Sequence, residues 1–367
     1  MTIELRGVNT HNKGAHLMMI AVSRALKGNH KLSVSPNGAT YEKRAELGYR
    51  QTTILNQAVT LSSVAGDAVP RKIRDMFGLT ARKDITAVLD AAGFAYSDSF
   101  SAERAKREYK VVTSLKKRGA RYIMLPQAFG PFTKPEQREW SRRLLLEADI
   151  VYARDRVSLG YVQNLDSGIK VELAPDFTVG LDTSAAQAEI SGKYAAIVPN
   201  QKMLSHAGLS EQSYVDELAE AGYAFTRHGI RPVVIIHEFN DRAIGRRVAE
   251  KLECEVFEHD DPIVLKRTLG AASAAVASRF HAIVGALSAA TPVLAYGWSH
   301  KYEELLADFE APSWMLHPGR DVTAAVDALL SEQAEQVREK VAAQAVSIKQ
   351  TNARMWADIG SLLERGR

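Results

Sequence analysis

The 367-residue chain predicts an α/β protein built from two doubly wound domains facing a cleft. Three observations lead there. Short, continuous apolar runs alternate with helical patterns almost throughout, as expected of parallel sheets covered on both faces. The alternation comes in two series of similar size, which suits a length of about two ordinary domains. Between the series lies a small, polar stretch, GLDTSAAQAEISGK (180–193), which reads as a linker. The expected division is 1–180, then 192–340, then a charged C-terminal helix over 341–367 that packs back on the first domain, mediates assembly, or does both.

In the first series TIELRGV is a strand and GAHLMMIAVSRAL a helix. ITAVLDAAG is a buried strand, followed by a helix over SAERAKREYKVVTSLKKRG that Gly119 ends. RYIMLP is a strand, and KPEQREWSRRLLLEA is a helix with Pro135 in its first turn, where a missing N–H costs nothing. DIVYA and KVELAP are further strands. In the second series YAAIVPN is a strand, and the following long helix has a serine at its N-cap and Gly229 at its end. PVVIIHEF is a strand and DRAIGRRVAEKL a helix. AAVAS and TPVLAYGW are strands flanking the helix HAIVGALSAA. From about Val322 the chain is helical and strongly charged, and MWADIGSLL gives that segment an apolar stripe suited to packing.

Composition narrows the function. The 47 basic and 43 acidic residues leave a net charge of only +4, without the concentrated basic face of a nucleic-acid binder. A few local cations still suffice for a small acidic substrate. One cysteine, Cys254, permits no internal disulfide and no cysteine-based zinc site, and fits a reducing cytoplasm. The first residues have no secretory pattern. No apolar run approaches the roughly 18 residues of a membrane span. GxSxG, HExxH, CxxC, Walker A and EF-hand patterns are absent, and nothing argues for a metal.

In open α/β sheets ligands bind beyond the carboxyl ends of the strands, so the loops after the strands carry the candidates. GVNTHNKGA offers Asn9, Asn12 and Gly14 at a helix start, either facing a ligand with backbone N–H groups or making a plain turn. DAAGFAYSD offers Asp98, to accept a proton from or hydrogen-bond to a substrate hydroxyl or, with Ser97 and Ser99, to cap a helix. LPQAFGPF offers Gln127 beside two phenylalanines that either stack on a ligand or fill the core. ARDRVS places Arg154 at a helix start, where it either holds an anion or pairs with Asp155 or Asp176. SRFHAIVGAL places Arg279 and His281 at another. Cations there are unfavourable unless an anion joins them, so a guanidinium fork, an imidazole and open backbone N–H groups point to phosphate or carboxylate. YGWSHKYEELL repeats the pattern with His300 and Lys301, and IIHEFND adds His237 and Asp241.

Taken together, NTHNKGA, LPQAFGPF, ARD, PDF (Pro175 to Phe177) and SRFHAIVGALSAATPVLAYGWSHKYEELL resemble the polysaccharide pyruvyl transferase family, over most of the chain. The resemblance implies two Rossmann-like domains in a GT-B-like arrangement. It implies transfer of a pyruvyl unit from phosphoenolpyruvate to sugar hydroxyls of a cell-surface polysaccharide or its precursor, forming a pyruvate ketal. The glycan acceptor is free or lipid-linked, and an oligomer is compatible. The donor is a substrate, so no cofactor is implied. By the matching motifs Arg279, His281 and Arg154 would hold phosphoenolpyruvate, with Lys301 joining them. His281 would act as the acid or stabilise phosphate, since an ordinary imidazole titrates near 6.5. Arg279 and Arg154 would orient the anions, and Asp98 would be a base. Two departures touch the acceptor side: Ala15 follows Gly14 where the family often has Asp, and DAAGFAYSD replaces a glycine-rich run. Two other readings fit the same fold. One is a GT-B glycosyltransferase, with Glu238 or Asp241 near a donor ribose. The other is a non-catalytic glycan-binding or scaffolding protein, which would not need clustered cations at strand ends.

Overall fold

The computed structural model describes residues 1–53 and 66–364. The chain divides into two compact units, Met1–Phe177 with Thr351–Arg367, and Thr178–Gln350. The division passes within the last helix, Glu335–Glu364, whose residues from Thr351 onward belong to the first unit.

Among the described residues the first unit is a parallel sheet of nine strands. They are β1 (Thr2–Arg6), β2 (Lys31–Val34), β3 (Tyr49–Thr52), β4 (Leu79–Thr80), β5 (Ala87–Asp90), β6 (Phe94–Tyr96), β7 (Arg121–Phe129), β8 (Ile150–Ala153) and β9 (Val171–Leu173). The order is β4-β3-β2-β1-β5-β7-β8-β9, with β6 beside β7. The first strand thus lies inside the sheet. The chain builds outward from it on one side, then crosses to the other, so the carboxyl ends of β1 and β5 form a topological switch point. Gly7, just past β1, has φ +79°, and a Cβ there would stand 2.7 Å from the Ala92 backbone. Only glycine lets the β1 and β5 loops approach so closely.

The second unit repeats the plan with six strands. They are β10 (Tyr194–Val198), β11 (Arg231–Ile236), β12 (Glu255–Glu258), β13 (Ala274–Ala277), β14 (Val293–Tyr296) and β15 (Met315–Leu316). The order is β12-β11-β10-β13-β14-β15, and every pairing is parallel. All five residues of β10 and all four of β13 and β14 are buried. That is why these runs are continuously apolar rather than alternating. The switch point here is between β10 and β13.

Two expectations need adjustment. LPQAFGPF is not all loop, since β7 continues to Phe129. Pro126 is tolerated there because the register against β8 slips between Met124 and Gln127, and a bulge needs no ladder hydrogen bond from that residue. The short strands β2 and β3, with Lys31, Ser33, Arg50 and Gln51, carry too little apolar pattern to be read from sequence. Among the described residues no helix is long and apolar enough to cross a membrane.

Candidate functional site

In the second unit the carboxyl ends of four strands gather Asn200 (β10), His237, Glu238 and Asp241 (β11), Ser278, Arg279 and His281 (β13), and Trp298, His300, Lys301 and Tyr302 (β14). Asn200 ties the two sides of the switch point together. Its Nδ2 donates to the Ser278 carbonyl (2.8 Å), its own N–H donates to the Tyr214 hydroxyl (3.1 Å), and that hydroxyl donates to Ser278 Oγ (2.6 Å).

Arg279 occupies the N-cap position of the helix Phe280–Leu287 but makes no cap hydrogen bond there. Its side chain turns to β11. Nε and Nη2 donate to the two oxygens of Asp241 (2.7 and 2.5 Å), and Nη1 meets Glu238 Oε1 at 2.7 Å. Asp241, fully buried, also accepts the Gln201 N–H (3.0 Å). Burial alone would lower the Arg279 pKa, but the hydrogen bond and charge of Asp241, with Glu238, raise it above the ordinary value. Glu238 moves upward: burial dominates, the Arg279 charge opposes it, and the Asp241 charge adds to it. Arg279 therefore stands as the hub of a carboxylate pair, a role the sequence patterns did not disclose.

Lys301 is held differently. Its ammonium sits 4.9 Å from the Trp298 ring centre, 5.1 Å from Tyr302 and 5.6 Å from Phe280, a set of π-faces that attract a cation. Gly297 makes room for this wall, because a Cβ there would collide with the Tyr302 ring at 2.2 Å. His281, half-buried in the first turn of its helix, packs edge-on to Phe280 with centres 5.4 Å apart. His300 opens the helix that carries Lys301, and His237 is buried at the end of β11.

In the first unit the predicted residues also lie at strand ends. Asn12 caps the helix Lys13–Leu26: its Oδ1 accepts the Ala15 N–H (2.9 Å), and its own N–H donates to Asn9 Oδ1 (2.8 Å). Gly14 is buried in that helix's first turn. Gln127 is fully buried on β7 and reaches the Asp90 carbonyl, while its Oε1 has no hydrogen-bond partner among the described residues. Arg154, also buried, donates to Asp176 (3.2 Å), and the Asp176 carbonyl accepts from Asn352 of the final helix. Asp98 does not cap the helix it precedes, since Ser101 does. Its carboxylate instead accepts the Thr133 N–H and hydroxyl (2.8 and 2.6 Å) and the Lys134 N–H (3.2 Å). Burial pushes Asp98 up, but these hydrogen bonds and the Lys134 charge outweigh it and hold the carboxyl below its usual range. It anchors the start of the helix Pro135–Leu146 and is a poorer base than an ordinary carboxylate.

Sequence reading also missed a sealed polar cluster at the β1–β5 switch point. Arg6 donates to Glu4 (2.8 Å) and to both oxygens of Glu108. Across the ladder Asp90 accepts from the hydroxyls of Tyr96 (2.6 Å) and Tyr122 (2.9 Å). Burial, with Glu108 nearby, raises Asp90 above its ordinary value. Among the described residues no group of three or more His, Cys, Asp or Glu side chains could hold a metal ion.

The sequence model of the polysaccharide pyruvyl transferase family matches residues 12–300, well over half of the chain. The chain belongs to this family. Membership marks it as a transferase and implies a glycan acceptor. No curated protein was found to match it in sequence. Solved structures resemble this family member at the level of fold. A putative UDP-N-acetylglucosamine 2-epimerase from Listeria monocytogenes has a TM-score of 0.64 at 10% identity, over 99% of this chain and 96% of that one. A glycosyltransferase from Rickettsia africae scores 0.59 at 12% identity, over 98% of both chains. Phytolacca americana UGT2, complexed with UDP-2fluoro-glucose and pterostilbene, scores 0.54 at 9% identity, over 99% of both. The pyruvyl transferase chain thus has the α/β fold of GT-B glycosyltransferases.

Proposed function

We propose that the protein transfers the pyruvyl group of phosphoenolpyruvate to two hydroxyls of a sugar in a cell-surface polysaccharide or its precursor, forming a pyruvate ketal, and that it does so in the cytoplasm. The observation that carries this reading is the family match over residues 12–300, which takes in Arg279 and His281 past β13; Lys301, one residue beyond the match, follows the adjacent strand β14.

Phosphoenolpyruvate carries a carboxylate and a phosphate. Lys301, displayed from an aromatic wall, suits one of these anions, and His281 at a helix start suits the other. The helix N-terminus supplies further N–H donors and a favourable dipole. In this reading Arg279 acts through Asp241 and Glu238 to shape the second unit's site, and His281 serves there as the acid or stabilises the departing phosphate; Arg154, held by Asp176, is an anion-binding candidate of the first unit. Asn12, Gly14 and Gln127 serve as substrate-binding residues at strand ends of the first unit, and His237 and His300 do so at strand ends of the second.

The rival reading is glycosyl transfer from a nucleotide sugar, which the fold also accommodates. It would assign Glu238 or Asp241 to a ribose. Both carboxyls are already engaged by Arg279, and a ribose would have to compete with that guanidinium. The test is turnover: incubation with phosphoenolpyruvate and candidate glycans should release phosphate and yield a product heavier by one pyruvyl ketal. Release of UDP from a UDP-sugar, with no consumption of phosphoenolpyruvate, would replace the proposal with the rival.

A further inference from the structure

We infer that Glu238 is the acid–base residue of this transfer, delivering a proton to the methylene carbon of phosphoenolpyruvate and then accepting the proton of the attacking sugar hydroxyl, with Arg279 as its positioning residue. This rests on the pyruvyl-transfer reading above.

The argument begins with a charge count. One guanidinium faces two carboxyls and cannot neutralise both. The two are unequally placed. Asp241 is fully buried and takes three donors: Nε and Nη2 of Arg279 and the Gln201 N–H. Glu238 meets the fork through Nη1, and its side chain keeps 15% of its surface open where that of Asp241 keeps none. An extra proton therefore belongs on Glu238, the carboxyl with the weaker claim on Arg279 and the one reachable from outside. The charged groups facing it agree. Burial pushes its pKa up and Asp241 adds to that, while Arg279 and Lys202 oppose without prevailing. Paired carboxyls whose surroundings separate their proton affinities are a familiar source of an acid at neutral pH. A bound trianionic donor would raise Glu238 further.

Position supports the same role. Glu238 follows β11, and its contact with Arg279, just past β13, bridges the end of β10, which lies between those strands. That is the switch point where a ligand is expected.

The step balances. The Glu238 proton adds to the methylene carbon, making it a methyl group and leaving an oxocarbenium-like centre at C2. A sugar hydroxyl oxygen bonds to C2 and its proton returns to Glu238. The bond from C2 to the phosphate oxygen then breaks, and a second hydroxyl oxygen bonds to C2. The proton of that hydroxyl leaves on the phosphate. Two hydroxyl protons are thus accounted for, one in the methyl group and one on phosphate, and Glu238 ends as it began. His281 is left with the phosphate-stabilising role.

The test compares Glu238→Gln and Glu238→Asp with the wild type. Glutamine keeps an acceptor for Arg279, and the melting temperature without ligand controls for folding. Phosphoenolpyruvate should stabilise Glu238→Gln against heat as it does the wild type, while phosphate release with acceptor falls about 10²–10⁴-fold. In the wild type kcat should decline as pH rises through the raised Glu238 value. That limb should vanish in Glu238→Gln and persist, displaced, in Glu238→Asp. A Glu238→Gln enzyme within a few-fold of wild-type turnover, with the wild-type pH profile, overturns the assignment alone. A wild type that neither binds nor consumes phosphoenolpyruvate overturns the pyruvyl-transfer reading, and this assignment with it.

Discussion

Each switch point of this molecule holds an arginine between two carboxylates, and the two clusters differ in access to solvent. In the first unit Arg6 lies between Glu4 and Glu108, and none of the three is more than 4% exposed. Asp90, Tyr96 and Tyr122 close the space beside them. In the second unit Arg279 lies between Asp241 and Glu238, and one member, Glu238, opens outward. The residue types are alike, but Arg6 and Glu4 stand on β1 with Glu108 on the helix Ala102–Lys116, whereas Arg279 follows β13 and its carboxylates follow β11. Burial separates a fully enclosed cluster from one with a part-exposed edge. A motif of charged residues at a strand end is thus ambiguous until its exposure is known.

The largest expected effect comes from breaking the sealed cluster. Arg6→Met leaves Glu4 and Glu108 buried without their counter-charge and should cost about 3–5 kcal/mol of stability, read by urea unfolding of the full chain. Arg279→Met should cost less, because Glu238 can turn to water or take a proton, yet it should abolish stabilisation by phosphoenolpyruvate. Equal stability losses would erase the distinction between the clusters.

Next comes Lys301→Met, which keeps the aromatic packing and removes the charge. The Kd for phosphoenolpyruvate should rise about tenfold or more, equivalent to about 1.4 kcal/mol, with little change in the unliganded melting temperature. An unchanged Kd would place the donor elsewhere.

A smaller effect probes Asp90. Its folded pKa is raised, so the folded state binds more protons than the unfolded state between the ordinary and raised values, and stability falls as pH rises through that interval. Asp90→Asn cannot pay this penalty. Its melting temperature relative to wild type should improve as pH is raised from 4 to 7, and a difference independent of pH would contradict the assignment.

The smallest effect is Asp98→Asn. Asp98 has a lowered pKa, so its contribution is present above the ordinary carboxyl value and lost as pH falls through the lower one. Because the group is only half-buried, the change should stay within about 1 kcal/mol at neutral pH. Turnover within a few-fold of wild type would confirm that it anchors a turn; a loss of 10²-fold or more would restore it as a base.

The fold was legible where strands are continuously buried. YAAIV, AAVA and VLAY read as strands because both faces of each are covered. β2 and β3 escaped because four residues with mixed polarity carry no period. The candidate loops were legible too, since the rule that sites follow strand ends needs only the strands. What could not be read was pairing across sequence distance. Arg279 and Asp241 are 38 residues apart, Arg6 and Glu108 are 102 apart, and no local pattern says that an arginine at a helix start will turn to a neighbouring strand's loop. For Arg154 the sequence left the choice open between an anion and Asp176, and the geometry places it on Asp176.

The most direct measurement is a thermal-shift titration of the wild type and Lys301→Met with phosphoenolpyruvate, and in parallel with UDP and a UDP-sugar. Stabilisation of the wild type by phosphoenolpyruvate, weakened in Lys301→Met and not reproduced by UDP, is the predicted result. Stabilisation by UDP or the UDP-sugar without any by phosphoenolpyruvate would contradict it and make the protein a nucleotide-sugar enzyme.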